Sequence, residues 1–306
     1  MTTGSLWDKL GKVIKEVEEI VETAGCSVAE ALRLAGIDFT AIKKPLWGGD
    51  LDGIIKKVPK WAAIVKDGSG DILGVTSEKY GIVQNAEGFG FADYIDGLKF
   101  VRGGITEHGL NWLLGAMPAV DILGDTFVPH IVFQNSFNGR FQLKAAVVLL
   151  REGTDTQYRF SMGGASGQIR IRHSKNAKDR LETAHEAMLT VTEFAENMKA
   201  LAEELNGRKV GADAFIDALF PITDKMTETQ EVNVRERREV FKTYLRNPIN
   251  ARFGEDSGWA LFNAYADYLT HEALKDGFSV KKAEKAFERS LDPKKLTEAV
   301  KVIRKL

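Results

Sequence analysis

Two short segments carry polar or basic side chains at every second position, the spacing that brings side chains to one face of a β-strand. The segment RFQLK runs from Arg140 to Lys144, and the segment QIRIR contains Arg170 and Arg172. Because side chains of a strand point alternately to opposite faces, each segment predicts a strand with one basic face and one buried face. Arginine offers planar, multi-donor contacts to phosphate oxygens. Two such strands side by side therefore predict a surface for a phosphate backbone.

The basic run continues beyond the second segment and leads into a predicted helix, whose first unpaired N–H groups attract anions. The additional candidates for phosphate contacts are His173, Lys175, Lys178 and Arg180. Two nearby aromatic residues, Tyr158 and Phe160, are candidates to stack on unpaired bases. The alternatives are a solvated face of an antiparallel sheet for the charges and core packing for the rings.

A second basic group lies on and after a later predicted helix. Its members are Arg235, Arg237, Arg238, Lys242, Arg246 and Arg252. Glu236 and Glu239 interrupt the group, so ion pairing within the helix is the favoured interpretation.

The chemistry of an enzyme is not indicated by any motif. The five histidines show no HxxxH or HxH spacing, and Cys26 is the single cysteine. The sequence has neither a GxxxxGK[ST] loop nor a GxSxG motif, which argues against a P-loop ATPase and a serine hydrolase. Asp67, Asp71 and Glu78 are close in sequence but fall in predicted turns, so we do not expect a metal site there. We expect no cofactor.

The composition is that of an ordinary soluble protein, with 306 residues, 44% of them hydrophobic and 28% charged. Lysine and arginine number 42 against 43 aspartates and glutamates, so a nucleic-acid site would have to be a local patch. No apolar run approaches the roughly 20 residues of a membrane helix. The N-terminal segment is charged from Asp8 onward, which argues against a secretory signal. A single cysteine favours a reducing compartment.

The hydrophobic pattern predicts helices over residues 5–36, the second of them capped by Ser27. From about residue 45 to 175, glycines separate short β-branched or aromatic runs, which is typical of hairpins, with tight turns at 67–70 and 138–139. The predicted strands are Trp61–Lys66, Ile72–Ser77, Lys99–Thr106, Leu110–Ala116, Phe127–Ser136, Arg140–Leu150, Gln157–Met162 and Gln168–His173.

A short helix over Asn85–Leu98, with Asn85 as its N-cap, is predicted between the strands. The later helices are Ser174–Leu205, Ala212–Leu219, Val232–Leu245, Ser257–His271, Ser279–Ser290 and Pro293–Leu306. We predict an α+β fold, in which an antiparallel β-hairpin sheet with one basic face is packed by N-terminal helices and a C-terminal helical region. The expected regions are N-terminal helices at 1–44, a β-rich core at 45–175 and a helical region at 176–306.

Four segments match a known series of motifs in order along the chain. Leu73–Phe89 is similar to LGxVSxxYxxVQNxEAF, Pro129–Gly139 to PYLxxxNSHDG, Ile171–Asn176 to IRHTxN, and Trp259–Tyr268 to AWxxxNAVTEY. These motifs belong to a phage- and plasmid-borne family, the domain of unknown function numbered 932, which the chain therefore resembles. Two departures are the absence of a Cys-Xaa-Asn-Thr element in residues 159–167 and Asn138 in place of an aspartate.

The resemblance implies a gene of a phage or mobile element and a protein that acts in the cytoplasm of a bacterial host. In outline, a hairpin sheet with a basic face and flanking helices is also similar to single-strand annealing proteins of the RecT and Redβ class. We therefore predict a DNA-binding recombination protein that binds or anneals single-stranded DNA without nucleotide hydrolysis. A homo-oligomer would repeat the basic surface, and no membrane association is expected.

Two further hypotheses remain open. The chain could be a protein-interaction module that acts on a host factor, which predicts no nucleic-acid affinity. It could also be an enzyme whose site is assembled from residues such as His130, Asn135 and His173.

Overall fold

The computed structural model describes residues 26–49, 54–106, 108–154, 156–159, 167–169, 177–271 and 293–306. Antiparallel sheets and packed helices confirm the predicted α+β fold. The helices predicted over 5–25 and 279–290 lie outside the described residues. Among the helices that the structure describes, none combines the length and hydropathy that a bilayer crossing requires.

A three-stranded sheet comes first in the chain, in the order β1-β2-β3. Its strands are β1 (Ala41–Gly49), β2 (Ile55–Lys66) and β3 (Ile72–Ser77). The tight turn predicted between β2 and β3 is confirmed, and Gly68 and Gly70 adopt φ angles of 87° and 78° there. Strand β1 and the first half of β2 were not predicted, because proline, glycine and consecutive lysines hide the alternation of apolar and polar residues.

A seven-stranded antiparallel sheet follows. Its main path is β10-β8-β7-β5-β4, with β6 paired to β7 and β9 paired to β8. The strands are β4 (Lys99–Ile105), β5 (Leu110–Ala116), β6 (Val120–Ile122), β7 (Asp125–Ser136), β8 (Lys144–Arg151), β9 (Thr156–Tyr158) and β10 (Gln168–Ile169). Strand β6 was not predicted, since three residues carry too short a pattern.

The described helices are α1 (Val28–Leu34), α2 (Asn85–Phe89), α3 (Ala177–Asn206), α4 (Ala212–Leu219), α5 (Glu228–Leu245), α6 (Pro248–Ala251), α7 (Gly258–His271) and α8 (Lys294–Lys305). Ser27 caps α1 as predicted, since its Oγ accepts a hydrogen bond from the backbone N–H of Glu30 at 3.3 Å. The core shared by helices and sheet contains one face of the seven-stranded sheet, including Ile131, Phe133 and Val147.

The helix predicted over residues 85–98 is wrong in its length and its cap. Helix α2 ends at Phe89, and a 3-10 turn covers Gly90–Tyr94. The N-cap position is occupied by Gln84, while the side chain of Asn85 donates a hydrogen bond to the carbonyl of Ile37 at 2.9 Å. The side-chain amide of Asn85, which the local sequence predicted as an N-cap, therefore forms a long-range contact instead.

The strand predicted to begin at Arg140 is also wrong, because β8 begins at Lys144. Ser136 Oγ donates to the carbonyl of Phe141 at 2.8 Å and accepts from its N–H at 3.0 Å. Asn138 Oδ1 accepts from the backbone N–H of Arg140 at 3.0 Å. These side-chain bonds replace ladder bonds, so residues 137–143 form a wide turn and Arg140 does not share a strand face with Lys144.

Candidate nucleic-acid interface

The predicted phosphate-binding residues are described only in part. Arg140 is exposed in the turn between β7 and β8, and Lys144 is half-buried at the start of β8, paired with Gln134. Lys178 and Arg180 lie on the first turn of α3, where the structure describes the backbone alone. The remaining candidates lie outside the described residues: Phe160, Arg170, Arg172, His173 and Lys175. The shared basic surface of two hairpins therefore stays a prediction.

Tyr158 lies in the core, and it does not belong to the interface in this fold. Its side chain is fully buried, and its hydroxyl donates a hydrogen bond to Asn263 Oδ1 at 2.7 Å. Its ring packs edge-on against Phe127, with centroids 5.3 Å apart. Burial raises the pKa of the phenol above its usual range. A base could stack on this ring only if β9 separated from α7.

The three-stranded sheet carries a concentration of positive charge that the sequence pattern did not reveal. Its strands contain six lysines and no aspartate or glutamate: Lys43 and Lys44 in β1, and Lys56, Lys57, Lys60 and Lys66 in β2. All except Lys66 belong to exposed residues. In a chain of net charge −1, this makes the sheet a local basic patch of the kind that a polyanion requires.

Some of these lysines have local partners. Lys43 Nζ donates to the carbonyl oxygens of Glu78 and Tyr80, both at 2.7 Å. Lys57 pairs with Glu78 at 3.1 Å, with both side chains about half exposed, so the pair is weak and open to exchange. Lys44 and Lys60 are exposed, and among the described residues they have no ion-pair partner.

Two exposed tryptophans lie among the lysines. The exposed fraction of Trp47 is 60% and that of Trp61 is 50%. Trp47 is directly paired with Lys57, and Trp61 follows four residues later on β2, beyond an irregularity in the pairing at which Lys60 has a φ angle of 66°. Aromatic rings that are open to solvent can stack on the bases of a single strand, while neighbouring cations contact its phosphates.

The outer side of the sheet follows from its register. Trp61 pairs with Ser77, and Lys44, Ala63 and Val75 form one cross-strand row. Because paired residues point to the same side and alternate residues of a strand share a face, Trp61, Lys44 and Val75 lie on one face. This face also carries exposed apolar area, since Val75 is 45% exposed. Trp47 is three residues from Lys44 on β1 and therefore lies on the other face, close to the open edge that β1 forms.

The opposite face of this sheet is fixed to the turn that carries Arg140. A Cβ atom on Gly74 would lie 2.5 Å from the Cα atom of Asn138, so only glycine allows this approach. Tyr80 Oη donates to the carbonyl of Ser136 at 3.0 Å. The turn that carries Arg140 is therefore held at the junction of the two sheets, beside β3. We call the hairpin of β1 and β2 the basic hairpin.

A buried amide network completes this junction. Asn135 Nδ2 donates to the carbonyl of Val83 and to Asn85 Oδ1, both at 2.9 Å, and its Oδ1 accepts from the N–H of Ser136. Gln84 bonds to the N–H and the carbonyl of Ala41 at 2.9 and 2.8 Å. Asparagines and glutamines from two of the motif segments thus join the sheets, which is a structural role.

Replacing Asn135 with alanine is expected to destabilise the fold by about 1–3 kcal/mol, because it leaves the carbonyl of Val83 and the amide of Asn85 without their buried partner. Urea unfolding measures the loss. Asn138→Ala, at a less buried position in the turn that follows β7, is the control and should cost less. Equal stability of Asn135→Ala and the parent chain would contradict the assigned role.

The enzyme hypothesis gains no support from the two residues that are described. His130 is buried, burial lowers its pKa to about 4, and its Nδ1 lies 2.9 Å from the carbonyl of Val128. Asn135 is five residues away on the same strand, so the two side chains point to opposite faces. In the part of the chain that the structure describes, no group of three potential metal ligands occurs. His173 lies outside it.

Three basic residues of α5 form ion pairs, two of them within the helix, and one of these involves Glu239, which interrupts the basic group in the sequence. Arg235 pairs with Glu231, and Lys242 pairs with Glu239 at 2.8 Å. Arg238 pairs with Asp217 at 2.7 Å and also donates to the carbonyl of Phe220. This helix is therefore a weaker candidate for phosphate contact than the basic hairpin.

A sequence signal for the basic hairpin exists. Ile42–Trp47 reads IKKPLW and Ile55–Trp61 reads IKKVPKW, so the same order of isoleucine, two lysines, proline and tryptophan occurs twice. In the structure the two segments lie side by side in neighbouring strands. Repetition within 20 residues, and not the strand pattern, was the available indication.

Comparison with known proteins gives one match. A family model with the description "Domain of unknown function (DUF932)" matches residues 72–300, from the first residue of β3 into α8. No curated protein and no solved structure matches the chain. The match covers most of the chain and begins only after β1 and β2. The chain belongs to the family described as Domain of unknown function (DUF932).

Proposed function

We propose that this protein binds single-stranded DNA through the basic hairpin and, as an oligomer, anneals or protects strands without nucleotide hydrolysis. The observation that carries the proposal is the exposed pair Trp47 and Trp61 among lysines, in strands that contain no carboxylate. The mobile-element context and the bacterial cytoplasm belong to the same proposal.

The mechanism is one of positioning. Lys44 and Lys60 contact phosphates, and the two indoles, on opposite faces of the basic hairpin, stack on bases as the strand passes around the edge of β1. These contacts give affinity without reading sequence. Arg140, held at the sheet junction, extends the cationic surface beyond the hairpin. Stacking requires unpaired bases, so duplex DNA should bind more weakly than a single strand of the same length.

The experiment is fluorescence anisotropy of a labelled thymidine oligonucleotide over a series of salt concentrations. For single strands, the slope of log affinity against log salt is about −0.7 for each phosphate contact. Lys44→Gln with Lys60→Gln should therefore weaken binding and make the slope less steep by about 1.4. An unchanged slope would remove these two lysines from the interface.

The matched control is Lys301→Gln with Lys305→Gln, because both lysines are exposed on α8, which belongs to a different part of the fold. We expect the control variant to retain the affinity and the slope of the parent chain. A similar loss in both variants would show that binding depends on net charge alone, which contradicts a defined interface.

The annealing part of the proposal has a separate test. Light scattering after size exclusion should show an oligomer with DNA bound, and the protein should accelerate pairing of complementary strands. A stable monomer under both conditions would overturn the annealing function while leaving the binding function intact.

A second candidate function, a protein-interaction module, is favoured by the apolar area on the same sheet. Ile72 and Ile55 are each 70% exposed, and Val75 is 45% exposed. The same anisotropy experiment separates the two, because this candidate predicts no binding to the oligonucleotide at low salt.

The family match begins at residue 72, so the whole basic hairpin precedes it. Apart from Arg140, the proposed binding surface therefore lies outside the part of the chain that matches the family model. A relative without the two IKK segments should bind single strands less tightly, if its remaining surface resembles this one.

A further inference from the structure

The edge that β1 forms carries features that oppose pairing with a further strand. Lys43 and Lys44 are exposed, and Pro45 lacks an N–H group. The pairing of β1 with β2 also shifts after Pro45, and Gln84 already bonds to the N–H and the carbonyl of Ala41. Lysine, proline and irregular pairing are means by which proteins protect an exposed edge.

The edge that β3 forms lacks this protection. Ile72–Ser77 reads ILGVTS, which contains no charged residue and no proline. Among the strands that the structure describes, only β2 pairs with β3. Val75, in the middle of the strand, is 45% exposed. An uncharged edge with β-branched residues favours the addition of a further strand.

The backbone groups that a further strand would use follow from the ladder of β2 and β3. The N–H of Glu78 donates to the carbonyl of Lys60 at 3.0 Å. Because successive residues of an antiparallel strand direct their N–H and C=O groups alternately to the two sides, those of Val75 and Ser77 point away from β2. The carbonyl of Ser77 accepts from the N–H of Tyr80 at 3.0 Å, whereas the backbone groups of Val75 have no partner within the described ranges.

We propose that a second copy of this chain adds its β3 to this edge, antiparallel about a two-fold axis at Val75. Val75 then lies opposite its counterpart, and the strand ends bring Lys79 of each copy beside Asp71 of the other. Both charged residues are exposed, and they lie four positions from Val75 on either side. The complementary charges meet twice, and the two valines cover each other's apolar surface. This self-complementarity favours a second copy over a strand of another protein.

The pairing joins two three-stranded sheets, in which β1 of each copy becomes an outermost strand. Both basic hairpins therefore keep the open edge that the proposed DNA contact uses. A six-residue strand gives an interface at the small end of the known range, so we expect a dimer that dissociates on dilution. The pairing does not rest on the proposed DNA binding, because its test contains no DNA and either proposal can fail alone.

Sedimentation velocity over a series of protein concentrations tests the pairing. Lys79→Glu and Asp71→Lys each place like charges at both ends of the paired strands, so each variant alone should dimerise about 5- to 30-fold more weakly. An equal mixture of the two variants restores opposite charges at both ends and should dimerise as the parent chain does. Lys301→Glu on α8 is the control for net charge and should have no effect. A monomer at every concentration, or no recovery in the mixture, would overturn the proposal.

Cross-linking locates the contact at Val75. In a Cys26→Ser background, which lacks the chain's single cysteine, Val75→Cys should give covalent dimers with a short bismaleimide reagent. Ile55→Cys is the matched control, because Ile55 is 70% exposed but lies in the basic hairpin, and it should give none. Dimers that form only between Val75→Cys and Lys43→Cys chains would show pairing of β3 with β1 and would overturn the two-fold arrangement.

Discussion

Replacing Trp47 and Trp61 together with alanine is expected to abolish most of the affinity for single-stranded DNA. Stacking of a base on an aromatic side chain contributes about 1–3 kcal/mol by alanine substitution, which is about 5- to 150-fold in affinity for each ring. Because the rings are 60% and 50% exposed, the substitutions remove little core packing. The salt dependence should change less than the affinity, since the lysines remain.

Anisotropy with a thymidine oligonucleotide at one salt concentration measures this effect, and thermal unfolding confirms that the variant is folded. Tyr94→Ala is the matched control, because Tyr94 is an aromatic residue with 40% exposure on a different element. Phenylalanine at both positions should restore part of the affinity. If the alanine variant binds as tightly as the parent chain, the basic hairpin is not the interface.

Replacing Asp125 with alanine is expected to cost about 3–5 kcal/mol of unfolding free energy, the largest loss of stability that we predict. Arg151 is fully buried, and its guanidinium donates to Asp125 at 2.6 Å and to Asn250 at 2.6 Å. Without the carboxylate, a buried positive charge loses its counterion, and water cannot replace it without opening the core.

Urea unfolding checks this prediction. Glu231→Ala is the control, because it removes the partner of Arg235 in an exposed pair on α5 and should change stability by no more than about 0.5 kcal/mol. Arg151→Met offers a second variant, since it removes the charge as well as the pair and should cost less than Asp125→Ala. Equal stability of Asp125→Ala and the parent chain would contradict the buried ion pair.

The strands that were predicted correctly from the sequence share one property, which is that turn residues bound their apolar runs. Ile72–Ser77 and Leu110–Ala116 have the predicted bounds, and helix Ala212–Leu219 does as well. Strand β1 was not predicted because its sequence does not show the pattern of a buried strand. It forms because it pairs with β2, which is also rich in lysine. Pairing between distant segments is not visible in a local pattern.

The candidate site was harder to predict than the fold, because exposure depends on the whole molecule. Tyr158 has the residue type for base stacking, yet α7 covers it completely. Trp47 is also an aromatic residue that can stack on a base, and it is open to solvent, although its sequence surroundings look less regular. A strand was predicted to begin at Arg140, which the structure places in a turn. The side chains of Ser136 and Asn138 form local hydrogen bonds with the backbone there, and these bonds shorten the neighbouring strand.

The buried Arg151 has a consequence for how the chain can be divided. Its guanidinium lies in the β-rich part, while Asn250, the carbonyl of Ile249 and the contacts of Asp267 come from a segment about 100 residues later. A fragment that stopped near residue 175 would retain the cation and lose two of the three groups that accept its hydrogen bonds. We therefore expect such a fragment to collect in inclusion bodies when expressed alone, and co-expression of both halves to recover soluble material.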